Sequence, residues 1–108
     1  MEITRFAPSP TGHLHLGGAR TALFSYLFAK ANNGKFLLRF EDTDQERSKQ
    51  EFVESIMKSL DWMKIKIDSE PVYQSKNLAK HKQLALELYK KGFAYACDCS
   101  EETLTKMR

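Results

Sequence analysis

The stretch EITRFAPSPTGHLHLGG, residues 2–18, decides the fold of this chain. Residues 2–7 alternate charged or polar side chains with β-branched or aromatic ones, which predicts a first strand. Two prolines and three glycines exclude regular structure over most of residues 8–18. A helical pattern runs from about Gly17 to Asn32, so the loop leads directly into a helix, and Asn33-Gly34 predicts its end. Because this helix is apolar almost all round, we expect it to be largely buried.

The remaining elements extend this start into a repeating pattern. Residues 35–40 (KFLLRF) are mostly apolar, as buried parallel strands are, and a polar turn at 41–50 precedes a helix from about Lys49 to Met63. We further predict a short strand over 64–68, a basic helix over 76–91 closed by Gly92, a strand near 93–96 and a final helix capped by Ser100. Strand, glycine-rich loop, helix, strand and helix indicate an α/β fold, a Rossmann-like parallel sheet with flanking helices.

Composition excludes several classes of protein. With 108 residues, 42% hydrophobic and 29% charged, the chain has the make-up of one small globular domain, and its net charge of +3 is too small for a nucleic-acid-coating tail. The longest apolar run, residues 21–29, falls well short of the about 20 residues that a membrane helix needs. Cys97 and Cys99 are too close in sequence for a stabilising disulfide loop. We therefore expect a cytoplasmic protein without a membrane partner.

Two unusual loops follow the first two predicted strands. Parallel sheets bind ligands beyond the carboxyl ends of their strands, where residues 7–9 and 41–44 (EDTD) fall. The His15-Leu16-Gly17-Gly18 turn opens the first helix, whose free N–H groups and dipole attract phosphate. A histidine there can donate a hydrogen bond to a phosphate oxygen that gains charge during bond breaking. The alternative is a glycine-rich turn that carries two surface histidines, His13 and His15.

The two motifs together resemble one family. PSPTGHLHLGGARTAL followed by LLRFEDTDQERS is similar to the glutamyl-tRNA synthetases, which are class I aminoacyl-tRNA synthetases of the glutamate and glutamine branch. Residues 15–18 resemble the class I HIGH signature with its last histidine replaced by glycine. Ser9 and the EDTD run favour the glutamate enzymes over the glutamine ones. The resemblance implies the N-terminal part of a nucleotide-binding catalytic domain, in which residues 93–108 begin an inserted acceptor-binding, zinc-type segment.

The implied reaction has two steps. Glutamate is activated by ATP with Mg²⁺, and the glutamyl group is then transferred to the 3′ end of glutamate tRNA by a parent enzyme that we expect to be monomeric. An ionised carboxylate needs no general base, so catalysis is mainly positioning and charge stabilisation. By resemblance, the catalytic residues are His15, Gly17 and Gly18. By the same resemblance, the ATP-binding residues are Pro8, Ser9, Pro10, Thr11, Gly12, His15, Gly17 and Gly18.

The glutamate site has a physical rationale as well. Arg5, at the end of the first strand, offers a bidentate fork for a carboxylate, and Glu41 can hold the ammonium. Ser9 supplies a further hydrogen bond, and the resemblance adds Ala7 to the lining of the site. The alternative for Arg5 is a rim salt bridge with Glu41. We expect Arg5, His15 and Glu41 to share one pocket.

Further sites are implied less directly. By resemblance, Asp44 and Arg47 lie near the tRNA 3′ end, although the two could also form a local salt bridge. A divalent-metal site at Glu41, Asp42 and Asp44 is an alternative use of the acidic turn. Cys97 and Cys99 supply at most half of a tetrahedral Zn²⁺ site, and two ordinary thiols are the competing interpretation.

The main departure from the family is that its second signature, a KMSKS-like lysine loop, does not occur in the 108 residues. We therefore expect a piece of a larger synthetase with little or no aminoacylation activity alone, and with marginal stability or self-association because a half-sheet leaves edges and apolar faces uncovered. Three alternatives are a shortened paralogue that glutamylates a modified tRNA base, an HxGH-type nucleotidyltransferase and a non-catalytic binding module.

Overall fold

Three parallel strands in the order β1–β2–β3 form the sheet of this computed structural model, which describes residues 1–107. The chain divides between Asn77 and Leu78 into two compact units. The first unit contains β1 (Ile3–Phe6), α1 (Leu16–Ala31), β2 (Lys35–Phe40), α2 (Gln50–Trp62), β3 (Val72–Tyr73) and a 3₁₀ turn, Gln74–Asn77. The second contains α3 (Leu78–Lys90) and α4 (Glu101–Lys106). Within residues 1–107, no helix has the length and apolar character needed to span a bilayer.

The core of the first unit forms on one face of the sheet. In β2 every second residue is buried, and Phe36, Leu38 and Phe40 face the core. Helix α1 approaches through small residues, since Ala22 and Ala29 are completely buried. Helix α2 contributes an apolar stripe, in which Val53, Ile56 and Leu60 are buried. The α/β class, the first two strands and the first two helices were predicted correctly.

The turn from α1 into β2 depends on close backbone approach. Asn33 has a left-handed φ of 51°, and the Gly34 N–H donates to the carbonyl of Ala29 at 2.7 Å. The next N–H, from Lys35, donates to the carbonyl of Glu2 at 2.8 Å and starts the pairing with β1. A Cβ atom at position 34 would lie 2.2 Å from the Glu2 carbonyl oxygen. Only glycine therefore lets the helix end and the sheet begin here.

The expectation that α1 is largely buried is wrong. Its large apolar side chains Leu23, Phe24, Leu27 and Phe28 are 39%, 63%, 54% and 56% exposed. A helix offers only one face to a single sheet, and α1 uses its alanine face for that contact. The wide apolar face that remains is not covered by any described residue.

Two predicted strands are absent from the described residues, and one short strand was missed. Residues 64–68 are irregular, because Asp68 bonds to both polar backbone groups of Phe36: its N–H donates to the carbonyl at 2.9 Å and its carboxylate accepts from the N–H at 2.7 Å. The third strand is instead Val72–Tyr73, paired at Arg39 and Phe40. Residues 93–96 are exposed and form no strand, since no neighbouring strand offers a hydrogen-bonding ladder.

Replacing Gly34 by alanine tests the close approach. Because the added methyl group meets backbone rather than a movable side chain, we expect the free energy of unfolding to fall by about 3 kcal/mol. The matched control is Gly12→Ala, whose Cβ meets nothing within 4 Å. Urea unfolding followed by circular dichroism measures both. Equal stability of the two variants would contradict the proposed role of Gly34.

Asp68 predicts a pH dependence of stability. Hydrogen bonds from the Lys30 ammonium and the Phe36 N–H hold the pKa of Asp68 below its usual value. Since the folded-state pKa is depressed, the stabilisation is fully present above about pH 4 and is lost as the pH falls through the folded-state pKa. We expect Asp68→Asn to lower the melting temperature at neutral pH, with a difference from wild type that shrinks in acid. Asp61→Asn, on an exposed aspartate of α2, is the control, and a difference independent of pH would contradict the assignment.

Candidate active site at the carboxyl edge of the sheet

The loops after β1 and β2 are joined by their backbones. The N–H of Glu41 donates to the carbonyl of Pro8 at 2.9 Å, and the N–H of Lys49 donates to the carbonyl of Pro10 at 3.1 Å. Pro10 is fully buried between these loops and α2. Prolines lack an N–H group but keep their acceptor, so they can receive these bonds while stiffening the loop. The prediction that the two loops converge at one edge is confirmed.

His15 occupies the N-cap of α1. Its ring Nδ1 accepts a hydrogen bond from the Gly18 N–H at 3.2 Å, and its side chain is exposed. A neutral imidazole that accepts at Nδ1 carries its proton on Nε2. A Cβ atom at position 17 would lie 3.0 Å from His15 Cε1, so a larger residue there would press on the ring. His15 is therefore held as a hydrogen-bond donor at the start of a helix.

Part of the predicted ATP site lines one cavity of about 340 Å³ beside the first loop. Pro8, Ser9, Thr11, Gly12, His15 and Gly18 belong to this lining. Pro10 is instead buried, and Gly17 is exposed. Arg5, Ala7 and Glu41 do not line the cavity. Arg5, His15 and Glu41 were expected to share one pocket, but His15 lines this cavity while Arg5 and Glu41 lie outside its lining.

His13 is better anchored than its sequence suggested. Its Nδ1 lies 2.8 Å from the Ser55 hydroxyl, and its ring meets that of Phe52 edge-on with centroids 5.2 Å apart. The interpretation of His13 as a solvated surface residue is therefore incomplete, because the side chain is exposed but ties the loop to α2. A lone histidine in a loop gives no sequence signal for such a contact.

Arg5 and Glu41 lie on the other face of the sheet from the core. Thr4 bonds to α1 and Phe6 enters the core, so alternation along the strand directs Arg5 to the opposite face. Arg5 is in register with Leu37, two residues before Arg39 on the same face. Glu41 forms its ion pair with Arg39, at 2.5 Å between Nη2 and Oε1, and not with Arg5. The rim salt bridge between Arg5 and Glu41 is absent from residues 1–107, and sequence reasoning missed Arg39.

The other two acids of the turn have separate partners. The Asp42 carboxylate accepts from the Ser75 N–H at 2.8 Å and from the Ser75 hydroxyl at 2.6 Å. Partial burial raises the pKa of Asp42, but these hydrogen bonds outweigh burial and hold it below its usual value. Asp44 forms a salt bridge with Arg47 at 3.5 Å. In the described part of the chain no group of three potential metal ligands occurs, and the carboxylates of Glu41, Asp42 and Asp44 each bond to a different residue.

Cys97 and Cys99 are exposed free thiols in the second unit. Hydrogen bonds from the backbone and the side chain of Cys99 hold the pKa of the Cys97 thiol below its usual value. A lower pKa favours the thiolate that binds metal. The described residues supply no third ligand, so the pair remains at most half of a tetrahedral site.

The fold is that of an α/β domain with candidate site residues at the carboxyl edge of its sheet, and comparison with known families identifies it. The chain belongs to the family of class I tRNA synthetases for glutamate and glutamine, whose catalytic domain matches residues 3–108. The chain is 61% identical over 104 residues to glutamate–tRNA ligase 2 of Ehrlichia chaffeensis. This match covers 96% of this chain and 22% of the relative. It is also 56% identical over 108 residues to glutamate–tRNA ligase of Francisella tularensis subsp. novicida.

A solved structure agrees with these relatives. The crystal structure of glutamate–tRNA synthetase from Elizabethkingia anophelis is similar, with a TM-score of 0.86 and 41% sequence identity. The match covers 98% of this chain and 23% of that protein. The chain therefore spans about a fifth of the length of the relatives it matches.

Asp42→Asn tests the link between the acidic turn and the segment after β3. The carboxylate accepts two hydrogen bonds from Ser75, one at each oxygen, whereas an amide has only one oxygen that can accept. We therefore expect the free energy of unfolding to fall by about 1 kcal/mol. Chemical denaturation measures the change. Glu46→Gln, an exposed residue of the same turn, is the control and should stay within experimental error of wild type. An equal loss in both variants would exclude a specific role for Asp42.

Proposed function

We propose that this chain is the N-terminal part of the catalytic domain of a glutamate–tRNA ligase. The intact enzyme activates L-glutamate with ATP and transfers it to the 3′ end of glutamate tRNA. The observation that carries this proposal is the fixed His15 donor at the start of α1, beside a loop joined through Pro8 to Glu41. High identity to glutamate–tRNA ligases along the whole chain supports the choice of substrate.

In the first step, a glutamate carboxylate oxygen bonds to the α-phosphorus of ATP, and the bond to the leaving pyrophosphate breaks. Negative charge increases on the phosphate oxygens while this exchange proceeds. His15 donates from Nε2 to one of these oxygens, and the free N–H groups of α1 add their dipole. Gly17 and Gly18 leave room for the nucleotide against the backbone, and Mg²⁺ enters with ATP.

Glutamate binds beside the ATP site, on the open face of the sheet near the carboxyl ends of β1 and β2. Arg5, which has no ion-pair partner among residues 1–107, receives a carboxylate with its guanidinium. Glu41 holds the ammonium, and Ala7 and Ser9 complete the lining. The substrate thus spans from the open face of the sheet, near Arg5 and Glu41, to the loop cavity near His15.

In the second step the glutamyl group moves to the tRNA. We propose that Asp44 and Arg47, now paired with each other, contact the tRNA near its 3′ end. Cys97 and Cys99 would supply two of the four ligands of a Zn²⁺ ion in the segment that begins near residue 93. The intact enzyme is proposed to act as a cytoplasmic monomer.

His15→Asn in the full-length product of the gene that encodes this chain tests the catalytic assignment. An asparagine oxygen can still accept from the Gly18 N–H, but the Nε2 donor is lost. We expect glutamate-dependent exchange of pyrophosphate into ATP to fall by about 10²- to 10³-fold in kcat, with little change in melting temperature.

The exchange assay also separates the competing functions. Measured with and without tRNA, it should depend on glutamate, whereas a nucleotidyltransferase of the HxGH type would not require glutamate. Transfer to a modified tRNA base would leave the glutamyl group off the terminal adenosine.

The matched control for His15→Asn is His81→Asn, at an exposed histidine on α3. Full exchange activity in His15→Asn would overturn the role of His15.

A further inference from the structure

Arg39 is a charged residue in the middle strand that the proposed mechanism does not yet use. It lies on the open face of β2, in register with Val72 of β3, and its side chain is 30% exposed. Its Nη2 pairs with Glu41 Oε1, and its Nε is buried without a hydrogen-bond partner among the described residues. The guanidinium is therefore partly buried on the open face of the sheet, and its Nη2 contacts Glu41, the first residue after β2.

We propose that Arg39 is a positioning residue that holds the Glu41 carboxylate in the orientation needed to receive the substrate ammonium. This inference rests on the proposed role of Glu41 in the glutamate site. Because Oε1 of Glu41 is engaged by Arg39, Oε2 is left as the acceptor for the ligand: within residues 1–107 it forms no hydrogen bond.

The backbone of Glu41 is fixed independently of its side chain. Its N–H donates to the carbonyl of Pro8, which extends the parallel pairing between β1 and β2 beyond Phe6 and Leu38. The side chain, however, rotates about three bonds and is 37% exposed. Without Arg39, the ligand would have to order this side chain on binding, at a cost in conformational entropy. The ion pair orders it in advance.

The test is steady-state kinetics of glutamate activation in the full-length gene product. Loss of a hydrogen bond to a charged, partly exposed group in Arg39→Gln should raise the KM for glutamate about tenfold. The kcat and the KM for ATP should change much less. Arg39→Lys retains a positively charged donor for Glu41 and should restore part of the affinity.

A double-mutant cycle separates positioning from general damage to the fold. If Arg39 acts through Glu41, Arg39→Gln should have no further effect on the glutamate KM in a Glu41→Gln enzyme. Lys35→Gln, at the distant end of the same strand face, is the matched control. Additive effects of the two substitutions, or an unchanged KM in Arg39→Gln, would overturn the proposal. If Arg39→Gln fails to fold, the Arg39→Lys enzyme decides: a lysine ammonium cannot reproduce the contact of the planar guanidinium with Glu41, so an unchanged glutamate KM would reject the proposal.

If the wild-type enzyme shows no glutamate-dependent exchange of pyrophosphate into ATP, the proposed function is wrong. If the wild-type enzyme is active and the Arg39 variants have an unchanged glutamate KM, only the role of Arg39 is rejected.

Discussion

The candidate site depends on two backbone hydrogen bonds between the loops after β1 and β2. The carbonyls of Pro8 and Pro10 accept from Glu41 and Lys49, which fixes the first loop against the second. Each acceptor is a proline, which cannot donate a backbone hydrogen bond, so these bonds join the two loops through proline carbonyls. They fix the backbone at Glu41 and the loop that leads to His15, whereas the Glu41 carboxylate is held by Arg39.

The regular part of the fold could be predicted because its signals are local. The apolar run of β2, the apolar stripe of α2 and the Asn33-Gly34 stop each depend on neighbouring residues. The strand predicted at 64–68 was wrong because Asp68 uses its carboxylate to bond to the Phe36 backbone, a long-range contact without a sequence pattern. Similarly, two-residue β3 is too short for its alternation to be recognised.

The candidate site shows the same division. The turn at residues 15–18, which is proposed to bind phosphate, could be found from its sequence, since a helix start, glycines and a histidine are adjacent there. The partners of the acids differ in how far they lie along the chain. The Asp44–Arg47 salt bridge is local and was among the sequence alternatives, and Arg39 lies two residues before Glu41, where the two-residue period of a strand places both on one face. Ser75 lies 33 residues after Asp42, and no sequence pattern links the two.

The exposed face of α1 bears on how this domain completes its core. Burying an apolar side chain of this size is worth about 1.5–3 kcal/mol, so four large residues left 39–63% exposed represent a substantial unused driving force. Within the first unit the alanine face of α1 already covers the sheet, and a second contact surface would have to come from elsewhere. The relatives are more than four times longer than this chain, since it spans 22–23% of their length. A helix that is apolar on two faces is the kind of element that packs between two layers. The excess apolar surface is therefore best understood as a property of the larger catalytic domain family to which the chain belongs, not as a defect in the packing of the sheet.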